Sequence, residues 1–419
     1  MHGFVSDCVT ISIAMARGIC RSVNVRLTHN LRENVVMIID GKRYNSLVEL
    51  EEDASALPID PSALGYFRSG AESETTLRRN REQYDEYRLV PRCLVNVSEA
   101  TTSCRVLGEN LSMPVMVAPM AMQKLAHPLG ELGMKNGSSA AGVSMLLSTM
   151  STTRMEDIAH VHDSTGIGTF FQLYCMKDRD LTKRIIERAD RLGFRGIVIT
   201  VDAPVLGKRE SDEKSQFALP EGLELAILEA EGAGGGDRCK GTVSSGRGAG
   251  GLDSKFGSEF TTLIDDSLDW SVIGFCRRIT RMPIIVKGVL SKEDAKLAVK
   301  HGVDAIVVSN HGGRQLDHCV GTLDVLQEIS SAVRGRCEVW VDGGIRRGTD
   351  VVKAIALGAD AVLIGRPALW ALALGGADGV ETALRELQGE LLRTMKLMGC
   401  VSIVDLKRKR SSSVQSVRD

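Results

Sequence analysis

The segment EVWVDGGIRRGTDVVKAIALGADAVLIGR, residues 338–366, decides which fold the chain can adopt. Two short apolar runs, EVWVDGG and AVLIGR, lie on either side of a stretch whose apolar residues have helical spacing. A strand, a helix and a second strand in this order are typical of a parallel sheet with crossover helices. The segment therefore predicts one βα unit and the strand that begins the next.

The same alternation recurs along the chain. Most of the apolar runs begin roughly 20 to 35 residues apart, which is the length of one βα unit. An open doubly wound sheet is the alternative, but no G-x-G-x-x-G follows the first run. We therefore expect an α/β fold of the closed (β/α)8 type, a TIM barrel. The eight runs are VMVAPM (115–120), SMLLST (144–149), TFFQLY (169–174), GIVITVD (196–202), PIIVKG (283–288), AIVVSN (305–310), EVWVDGG (338–344) and AVLIGR (361–366).

The barrel domain is predicted to occupy residues 45–408, and it begins with an N-terminal helical segment. NSLVELEEDASALP has helical apolar spacing, and a Gly turn and a charged helix follow it before the first strand. A long Gly/Ser-rich loop, residues 211–266, separates the fourth and fifth runs. Such a composition suits a mobile lid over the catalytic end, although a simple insertion has the same composition.

Both ends of the chain are predicted to lie outside the barrel. Residues 1–44 form an N-terminal extension in which arginines outnumber acids before residue 35, so it is either a mitochondrial presequence or a disordered segment. Residues 409–419 form a basic, Ser-rich tail that we expect to be disordered and that lacks the peroxisomal S-K-L signal.

The composition limits the class of partner. Lys and Arg number 52 against 53 Asp and Glu, so no global basic excess indicates nucleic acid or an anionic membrane. No apolar run has the roughly 20 residues of a membrane span. The ten cysteines include no C-x-x-C pair, which favours a reducing intracellular compartment. His160 and His162 form an H-x-H at a predicted helix end, and we expect no metal there.

Polar residues follow the predicted strands where a barrel places its chemistry. They would leave many polar groups unpaired unless a polar ligand bound between them. The last two loops, VDGGIRRG and IGRP, carry glycines and an arginine where barrels commonly bind phosphate. The residues concerned are Ser148, Gln172, Tyr174, Thr200, Asp202, Lys287, Ser309, Asn310, His311, Asp342, Gly343, Gly344, Gly365 and Arg366.

Two of these positions bear directly on the type of chemistry. Lys287 could be a charge beside a cofactor, a Schiff-base nucleophile or a member of a structural ion pair. Asp202 and His311 follow different strands and could meet, so that the carboxylate would orient the imidazole and favour its protonated form. A histidine grouped with a carboxylate, a lysine and arginines at one barrel mouth is more often catalytic than structural.

The segments SNHGGRQLD, MPIIVKGV, FFQLY and ITVDAP resemble the FMN-dependent α-hydroxy acid oxidases and dehydrogenases, the glycolate oxidase and lactate-oxidising flavoenzymes. The segments VDGGIRRGTDVVKAIALGADAVLIGRP and GYFRSGAESETTLRRN extend the resemblance. The similarity covers about residues 60 to 408 in collinear order. It implies FMN as cofactor and oxidation of a small-molecule (S)-2-hydroxy acid, with O2 as electron acceptor.

The resemblance also implies a role for individual residues. His311 would take either the α-proton or the hydroxyl proton of the substrate, and Asp202 would stabilise the resulting imidazolium. Arg314 and Tyr66 would hold the carboxylate, Arg209 would add positive charge, and Tyr174 would hydrogen-bond the hydroxyl. Lys287 would lie beside the flavin, which disfavours its Schiff-base role. The implied FMN-binding residues are Ala118, Pro119, Met120, Ala121, Ser148, Gln172, Thr200, Lys287, Ser309, Asp342, Gly343, Gly344, Arg346, Gly365 and Arg366.

Two positions depart from the family pattern, and several alternatives stay open. Met150 replaces a frequent aromatic residue of the substrate pocket, which leaves the substrate's length undecided, and Phe67 replaces a frequent second tyrosine. A dehydrogenase passing electrons to a cytochrome or quinone is a close variant. A Schiff-base lyase, another FMN barrel enzyme or a non-catalytic binding protein would be different functions. The family implies a homotetramer and a peroxisomal location, with cytoplasm or mitochondrion as alternatives.

Overall fold

A computed structural model describes residues 37–54, 59–161, 165–215, 217–232, 262–409 and 412–417 of the 419-residue chain. Within them, the strands are β1 (Met37–Ile39), β2 (Lys42–Tyr44), β3 (Tyr87–Leu89), β4 (Cys104–Val106), β5 (Glu109–Leu111), β6 (Val115–Val117), β7 (Leu146–Ser148), β8 (Phe170–Leu173), β9 (Ile197–Thr200), β10 (Ile284–Val289), β11 (Ala305–Val308), β12 (Glu338–Asp342), β13 (Ala361–Ile364) and β14 (Val414–Ser416).

Helices alternate with these strands. In the described residues they are α1 (Leu47–Ala54), α2 (Pro61–Arg68), α3 (Thr75–Glu82), α4 (Gly130–Ala140), α5 (Met155–Ala159), α6 (Arg179–Arg191), α7 (Glu210–Ser215), α8 (Ala226–Ala230), α9 (Ser271–Ile279), α10 (Lys292–Lys300), α11 (Thr322–Val333), α12 (Gly348–Ala356), α13 (Arg366–Leu397) and α14 (Ile403–Lys409). Short 3-10 helices span Gln83–Glu86, Gln123–Leu125 and His311–Gly313. None of the helices in the described ranges is long and apolar enough to cross a membrane.

Strands β6 to β13 form one parallel eight-stranded sheet that closes on itself. Each strand pairs with the next along the chain, β13 pairs with β6, and a parallel bridge between Val117 and Met145 joins β6 to the start of β7. The strands are rich in Val and Ile and are buried on both faces, because helices cover the outside and side chains fill the inside. The predicted TIM barrel is confirmed. Seven of the predicted runs contain one of its strands, and the run 283–288 covers all of β10 except Val289.

The barrel is plugged at one end and open at the other. The antiparallel hairpin β4–β5 places Val106 and Leu111 against interior residues such as Phe170 and Trp340. The backbone N–H of Leu107, at the tip of this hairpin, donates to Glu338 at the N-terminal end of β12 over 2.8 Å. The N-terminal ends of the strands are therefore covered, and the C-terminal ends remain available for a site.

The folded domain begins before residue 45, so the predicted boundary of the N-terminal extension at residues 1–44 is wrong at its end. β1 and β2 pair as an antiparallel hairpin, and the side chains of Met37 and Ile39 are buried. Ile39 packs against Gly375 of α13, where a Cβ atom added to the glycine would lie only 2.5 Å from the Cγ2 atom of Ile39. The apolar residues of this hairpin need that helix to cover them, which no local pattern reveals. Residues 1–36 lie outside the described residues.

Residues 412–417 of the C-terminal tail are also part of the fold, contrary to the disorder predicted for the tail at residues 409–419. β14 pairs antiparallel with β3, and the backbone N–H of Val90 donates to Ser413 over 2.9 Å. The partner strand lies more than 300 residues earlier in the chain, so the local basic and serine-rich composition could not indicate the pairing.

The predicted flexible loop at residues 211–266 is regular over part of its length. It includes most of α7, all of α8 and the buried ring of Phe217, which stacks on Tyr66 with ring centroids 4.5 Å apart. Its Gly/Ser-rich part, residues 233–261, lies outside the described residues. The lid predicted for this part therefore also lies outside them.

Candidate active site

The C-terminal ends of the barrel strands surround a cavity of about 1250 Å³, the solvent at its mouth included. Ser148, Gln172 and Thr200 line it at the ends of consecutive strands β7, β8 and β9. The hydroxyl of Ser148 donates to Gln172 Oε1 over 3.2 Å, and Gln172 Nε2 donates to Thr200 Oγ1 over 3.0 Å. A row of hydrogen-bonding groups therefore crosses one side of the cavity.

His311 and Asp202 meet at the cavity, as their strand positions predicted. The Nδ1 atom of His311 lies 2.8 Å from Oδ1 of Asp202, and its Nε2 atom lies 3.5 Å from the hydroxyl of Tyr174. With Nδ1 bound to the carboxylate, Nε2 is the ring nitrogen that faces Tyr174 and the cavity. The geometry is that of an oriented general base beside a phenol.

Burial lowers the pKa of His311 below its ordinary value, and Lys287 adds to this effect, while Asp202 opposes it. Asp202 acts on the pKa of His311 in the predicted direction, but burial and Lys287 outweigh its effect. Burial alone would raise the pKa of Asp202, but His311 and Lys287 hold it below its ordinary value. The pair thus consists of an ionised carboxylate and an imidazole that is neutral at physiological pH.

A tight turn presents His311 and Arg314 to the same space. His311, Gly312 and Gly313 all have positive φ, and the Asn310 side chain accepts a hydrogen bond from the Gly313 N–H over 3.1 Å. A Cβ atom on Gly313 would lie 2.7 Å from the backbone of Leu77 in α3. The second glycine is therefore required by both the left-handed turn and the close approach of α3.

Three buried or half-buried arginines line the cavity close to the turn that carries His311. The guanidinium of Arg314 lies 4.8 Å from the ring centroid of Tyr66, and that of Arg209 lies 5.8 Å from it. Arg366 donates to the backbone carbonyls of Phe67, Gly312 and Ser69 at 2.9 to 3.0 Å. Three like charges so close to one another favour an anion between them.

The arginines perturb one another in a way that supports this conclusion. Burial and the charge of Arg314 lower the pKa of Arg209 to about 10 and that of Arg366 to about 9. Both groups remain cationic at neutral pH, yet each pays an electrostatic cost that a bound carboxylate or phosphate would relieve.

Lys287 is held as a cation. Its Nζ atom donates to Ser309 Oγ over 2.9 Å and lies 3.4 Å from Oδ2 of Asp342 and 4.0 Å from Oδ2 of Asp202. Burial alone would lower the pKa of Lys287, but the two carboxylates raise it above its ordinary value. A Schiff base requires the neutral amine, so this environment opposes the nucleophile alternative.

The loop after β12 approaches α3 closely. Gly343 and Gly344 have positive φ, and a Cβ atom on Gly344 would lie 1.7 Å from the carbonyl oxygen of Asn80. The hydroxyl of Tyr84 donates to the Gly343 carbonyl over 3.1 Å. Arg346, which follows this loop, lines the cavity as Gly343 and Gly344 do. Backbone and guanidinium groups suited to an anion therefore lie at this end of the cavity.

Nearly all of the predicted site residues line this one cavity. Asp202 and Ser309 do not, because they lie behind His311 and Lys287 and act on the cavity through them. The predicted residues that line it are Tyr66, Ala118, Pro119, Met120, Ala121, Ser148, Gln172, Tyr174, Thr200, Arg209, Lys287, His311, Arg314, Asp342, Gly343, Gly344, Arg346, Gly365 and Arg366.

Several lining residues were not predicted. Asn80 and Arg81 come from α3, which reaches the cavity only after the polypeptide folds back over the barrel mouth. Both stand at or directly after the end of the TLRRN motif, so a closer reading of that motif could have found them. Leu206 lies four residues after Asp202, and its position on the loop after β9 was the available signal.

Both residues that depart from the family pattern, Met150 and Phe67, line the cavity. Met150 is buried and lines the cavity, where its thioether forms part of an apolar wall with Leu206. Phe67 also lines the cavity and packs edge-on against Tyr66 and Trp370, with ring centroids 5.3 and 6.4 Å apart. Phe67 lacks the hydroxyl group that a tyrosine would supply, and Met150 offers only a weakly accepting thioether.

Comparison with known proteins identifies relatives over most of the chain. The family model described as FMN-dependent dehydrogenase matches residues 57–413. Glycolate oxidase 3 of Arabidopsis thaliana is 46% identical over 344 residues, which cover 82% of this chain and 89% of the relative. L-lactate oxidase of a Nostoc species is 43% identical over 362 residues, covering 86% and 96%. A crystal structure of mandelate oxidase is 37% identical, with a TM-score of 0.77 over 87% of this chain and 97% of its own.

Proposed function

The chain belongs to the FMN-dependent dehydrogenase family, so that it is an oxidoreductase with FMN as its cofactor, and from this premise we propose that it oxidises (S)-2-hydroxy acids to 2-oxo acids with O2 as the electron acceptor. The observation that carries the proposal is the His311–Asp202 pair, with its atoms 2.8 Å apart, at a cavity that three arginines also line. A base and an anion-binding cluster in one space suit a substrate with a hydroxyl next to a carboxylate.

The residues at the cavity suit the cofactor. Oδ1 of Asp342 is buried and accepts no hydrogen bond from the described residues, so a ribityl hydroxyl would satisfy it. The glycine turn at Gly343 and Gly344 and the arginines Arg346 and Arg366 suit a phosphate of charge near −2. Lys287 supplies the fixed cation beside the flavin. The rest of the proposed shell is Ala118, Pro119, Met120, Ala121, Ser148, Gln172, Thr200, Ser309 and Gly365.

Substrate binding is assigned to the arginine cluster. Arg314 suits the carboxylate because its planar fork can donate two parallel hydrogen bonds, and Tyr66 stacks beneath it at 4.8 Å. Arg209 adds positive charge from behind. A carboxylate held there would keep the neighbouring C–OH group in the cavity that His311 and Tyr174 also line.

His311 serves as the general base. Its neutral Nε2 accepts one proton of the substrate, either from Cα or from the hydroxyl, and Asp202 stabilises the imidazolium that results. Tyr174 donates a hydrogen bond to the substrate oxygen as it becomes a carbonyl. Burial raises the pKa of Tyr174 well above its ordinary value, so this group remains a donor. FMN, when bound, would supply the acceptor for the two electrons, and its reoxidation by O2 with two protons would give H2O2.

The apolar wall at Met150 and Leu206 bears on substrate length. A flexible thioether in place of a rigid aromatic ring leaves room for a side chain longer than that of glycolate. The relatives are called glycolate, L-lactate and mandelate oxidases, which span small and large acids. We expect the chain to accept lactate and longer 2-hydroxy acids better than glycolate.

The assembly and the compartment are proposals by family resemblance. We expect a homotetramer in a peroxisome, with the cytoplasm and the mitochondrion as alternative locations. Light scattering of the purified protein would test the subunit number, and imaging of the tagged full chain would test the location.

Anaerobic reduction of the bound flavin tests the function directly. The FMN-loaded protein is mixed with glycolate, L-lactate, L-mandelate or longer (S)-2-hydroxy acids, and the flavin absorbance is followed. We expect bleaching by at least one acid, followed by recolouring and H2O2 formation when air is admitted. An absence of bleaching with every acid would contradict the proposed function. Recolouring by cytochrome or quinone but not by O2 would contradict the oxidase assignment alone.

A further inference from the structure

Glu51 of α1 forms an ion pair with Arg346 at the edge of the cavity. Nε of Arg346 donates to Oε2 of Glu51 over 2.8 Å, and Nη2 donates to Oε1 over 3.1 Å. This is the two-bond, fork-to-fork geometry in which a guanidinium binds a carboxylate or a phosphate. Nη1 donates to the carbonyl of Ile345 over 2.9 Å. One complete edge of the Arg346 fork is therefore occupied by a side chain of the same protein.

The surroundings of Glu51 keep it ionised. Arg81, a second lining residue, lies 3.6 Å from Oε2 of Glu51. Burial alone would raise the pKa of Glu51, but Arg346, Arg81 and Arg366 hold it below its ordinary value. The end of the cavity with the Gly343–Gly344 turn thus carries a built-in negative charge among its arginines.

An FMN phosphate would need the same positive groups. Its charge is near −2, and its oxygens seek the N–H donors of a guanidinium edge. Arg366 already donates from Nε, Nη1 and Nη2 to three backbone carbonyls. Arg346 instead donates to a side-chain carboxylate, which a phosphate could replace. A carboxylate and a phosphate that share one arginine also repel each other.

We propose that Glu51 competes with the FMN phosphate for Arg346 and thereby weakens FMN binding, so that this residue sets the affinity of the protein for its cofactor. The proposal rests on the FMN site assigned above. The Glu51 carboxylate binds the edge of Arg346 that a phosphate could use and neutralises its charge. FMN binding then requires Arg346 to exchange one anion for the other.

The competition predicts a specific response to removal of the charge. Glu51→Gln retains the size of the side chain but removes its charge, and Glu51→Ala removes the whole carboxylate. Both variants should bind FMN more tightly, by roughly tenfold for the loss of one nearby charge. Riboflavin lacks the phosphate, so its affinity should stay within about twofold of the wild-type value, by the same reasoning. Glu52→Gln is the matched control, because it removes the next, exposed carboxylate of the same helix.

The measurement is titration of the apoprotein with FMN or riboflavin, followed by quenching of flavin fluorescence. Arg346→Ala should weaken FMN binding, and adding Glu51→Gln to it should give no further tightening, because the contested group is gone. Circular dichroism of each apoprotein reports folding, and Glu51→Ala serves if Glu51→Gln does not fold.

Each outcome decides between the proposals. Tighter FMN binding in the Glu51 variants with unchanged riboflavin binding supports the competition. Weaker FMN binding would show that Glu51 positions Arg346 for the phosphate, and unchanged binding would show no role, so both results overturn the inference. Wild-type protein that binds neither flavin would instead contradict the proposed cofactor site, which separates the two failures.

Discussion

Nδ1 of His311 lies 2.8 Å from Oδ1 of Asp202, although the two residues are 109 positions apart in the chain. Two parallel strands of one barrel, β9 and β11, bring them to the same face, and the left-handed turn at His311 directs its ring across the mouth. The carboxylate fixes one ring nitrogen, so the other is presented to the cavity. The predictions below test this pair, the groups that face it and the elements that hold them in place.

Replacement of the base should abolish turnover without loss of the cofactor. His311→Ala removes the imidazole that accepts the substrate proton, so kcat should fall by roughly 10² to 10⁴-fold. FMN content should stay near that of the wild type, because the proposed shell has many other members. The measurement is stopped-flow reduction of the flavin, and reduction at the wild-type rate would show that another residue is the base.

Asp202→Asn should slow the reaction and shift its pH dependence. A neutral amide cannot stabilise the imidazolium, so we expect kcat to fall by about 10²-fold or more. Activity requires neutral His311 and is therefore lost as the pH falls through the pKa of this residue, which burial lowers. Asp202 raises that pKa, so its removal should move the acid limb of kcat/KM to lower pH. A shift to higher pH would contradict the assignment.

Arg314→Lys should mainly weaken substrate binding. A lysine keeps the charge but loses the planar fork and the stacking on Tyr66 at 4.8 Å, so we expect KM to rise by roughly tenfold or more. Steady-state kinetics with the preferred acid measure the effect. Lys208→Arg is a useful control, because it exchanges the same two residue types beside the cavity loop. An unchanged KM in Arg314→Lys would place the carboxylate elsewhere.

Met150→Trp should narrow the range of substrates. The bulky ring would take up cavity space beside the apolar wall, to which the buried thioether and Leu206 now contribute. We expect kcat/KM for mandelate or a long-chain acid to fall by roughly tenfold relative to that for glycolate. The comparison is made as a ratio within one protein, so a general loss of folding cannot imitate it. An unchanged ratio would show that the side chain of the substrate extends in another direction.

Glu131→Ala should destabilise the loops that flank the site. Its buried carboxylate accepts hydrogen bonds from the backbone N–H groups of Gln123 and Thr152, each at 3.0 Å, and from the hydroxyls of Thr152 and Thr153. Its removal leaves these donors unpaired, so we expect the free energy of unfolding to fall by about 2 to 4 kcal/mol. Denaturant titration measures this change. Glu187→Ala, on an exposed pair, should change it little.

The barrel could be predicted from the sequence because each strand is indicated by its own short run of residues. Residues such as VMV in β6 and AIVV in β11 are continuous β-branched or apolar runs, and the helix that follows each of them has its own periodicity. The order of strands then follows from the chain, since successive parallel strands pair through right-handed crossovers. The polar residues that follow the strands were predictable for the same reason, because their position depends only on where a strand ends.

Contacts between distant segments could not be predicted in this way. The strand β14 pairs with β3, and Met37 and Ile39 become buried only because α13 covers them, so both ends of the domain were misplaced. The same is true of Asn80 and Glu51. Their helices carry no strand-end signal, and they reach the cavity only after the N-terminal segment packs across the barrel mouth.

The sequence by itself therefore determined the barrel, the cofactor class and the residue types at the strand ends, because these depend on local periodicity and on motifs. Only the tertiary structure decided which charges face one another. The net pKa of His311 depends on burial and on Lys287 as well as on Asp202, and the partner of Arg346 is a carboxylate 295 residues away. Electrostatic interactions depend on distance in space and on exclusion of water, and neither quantity is a function of position along the chain.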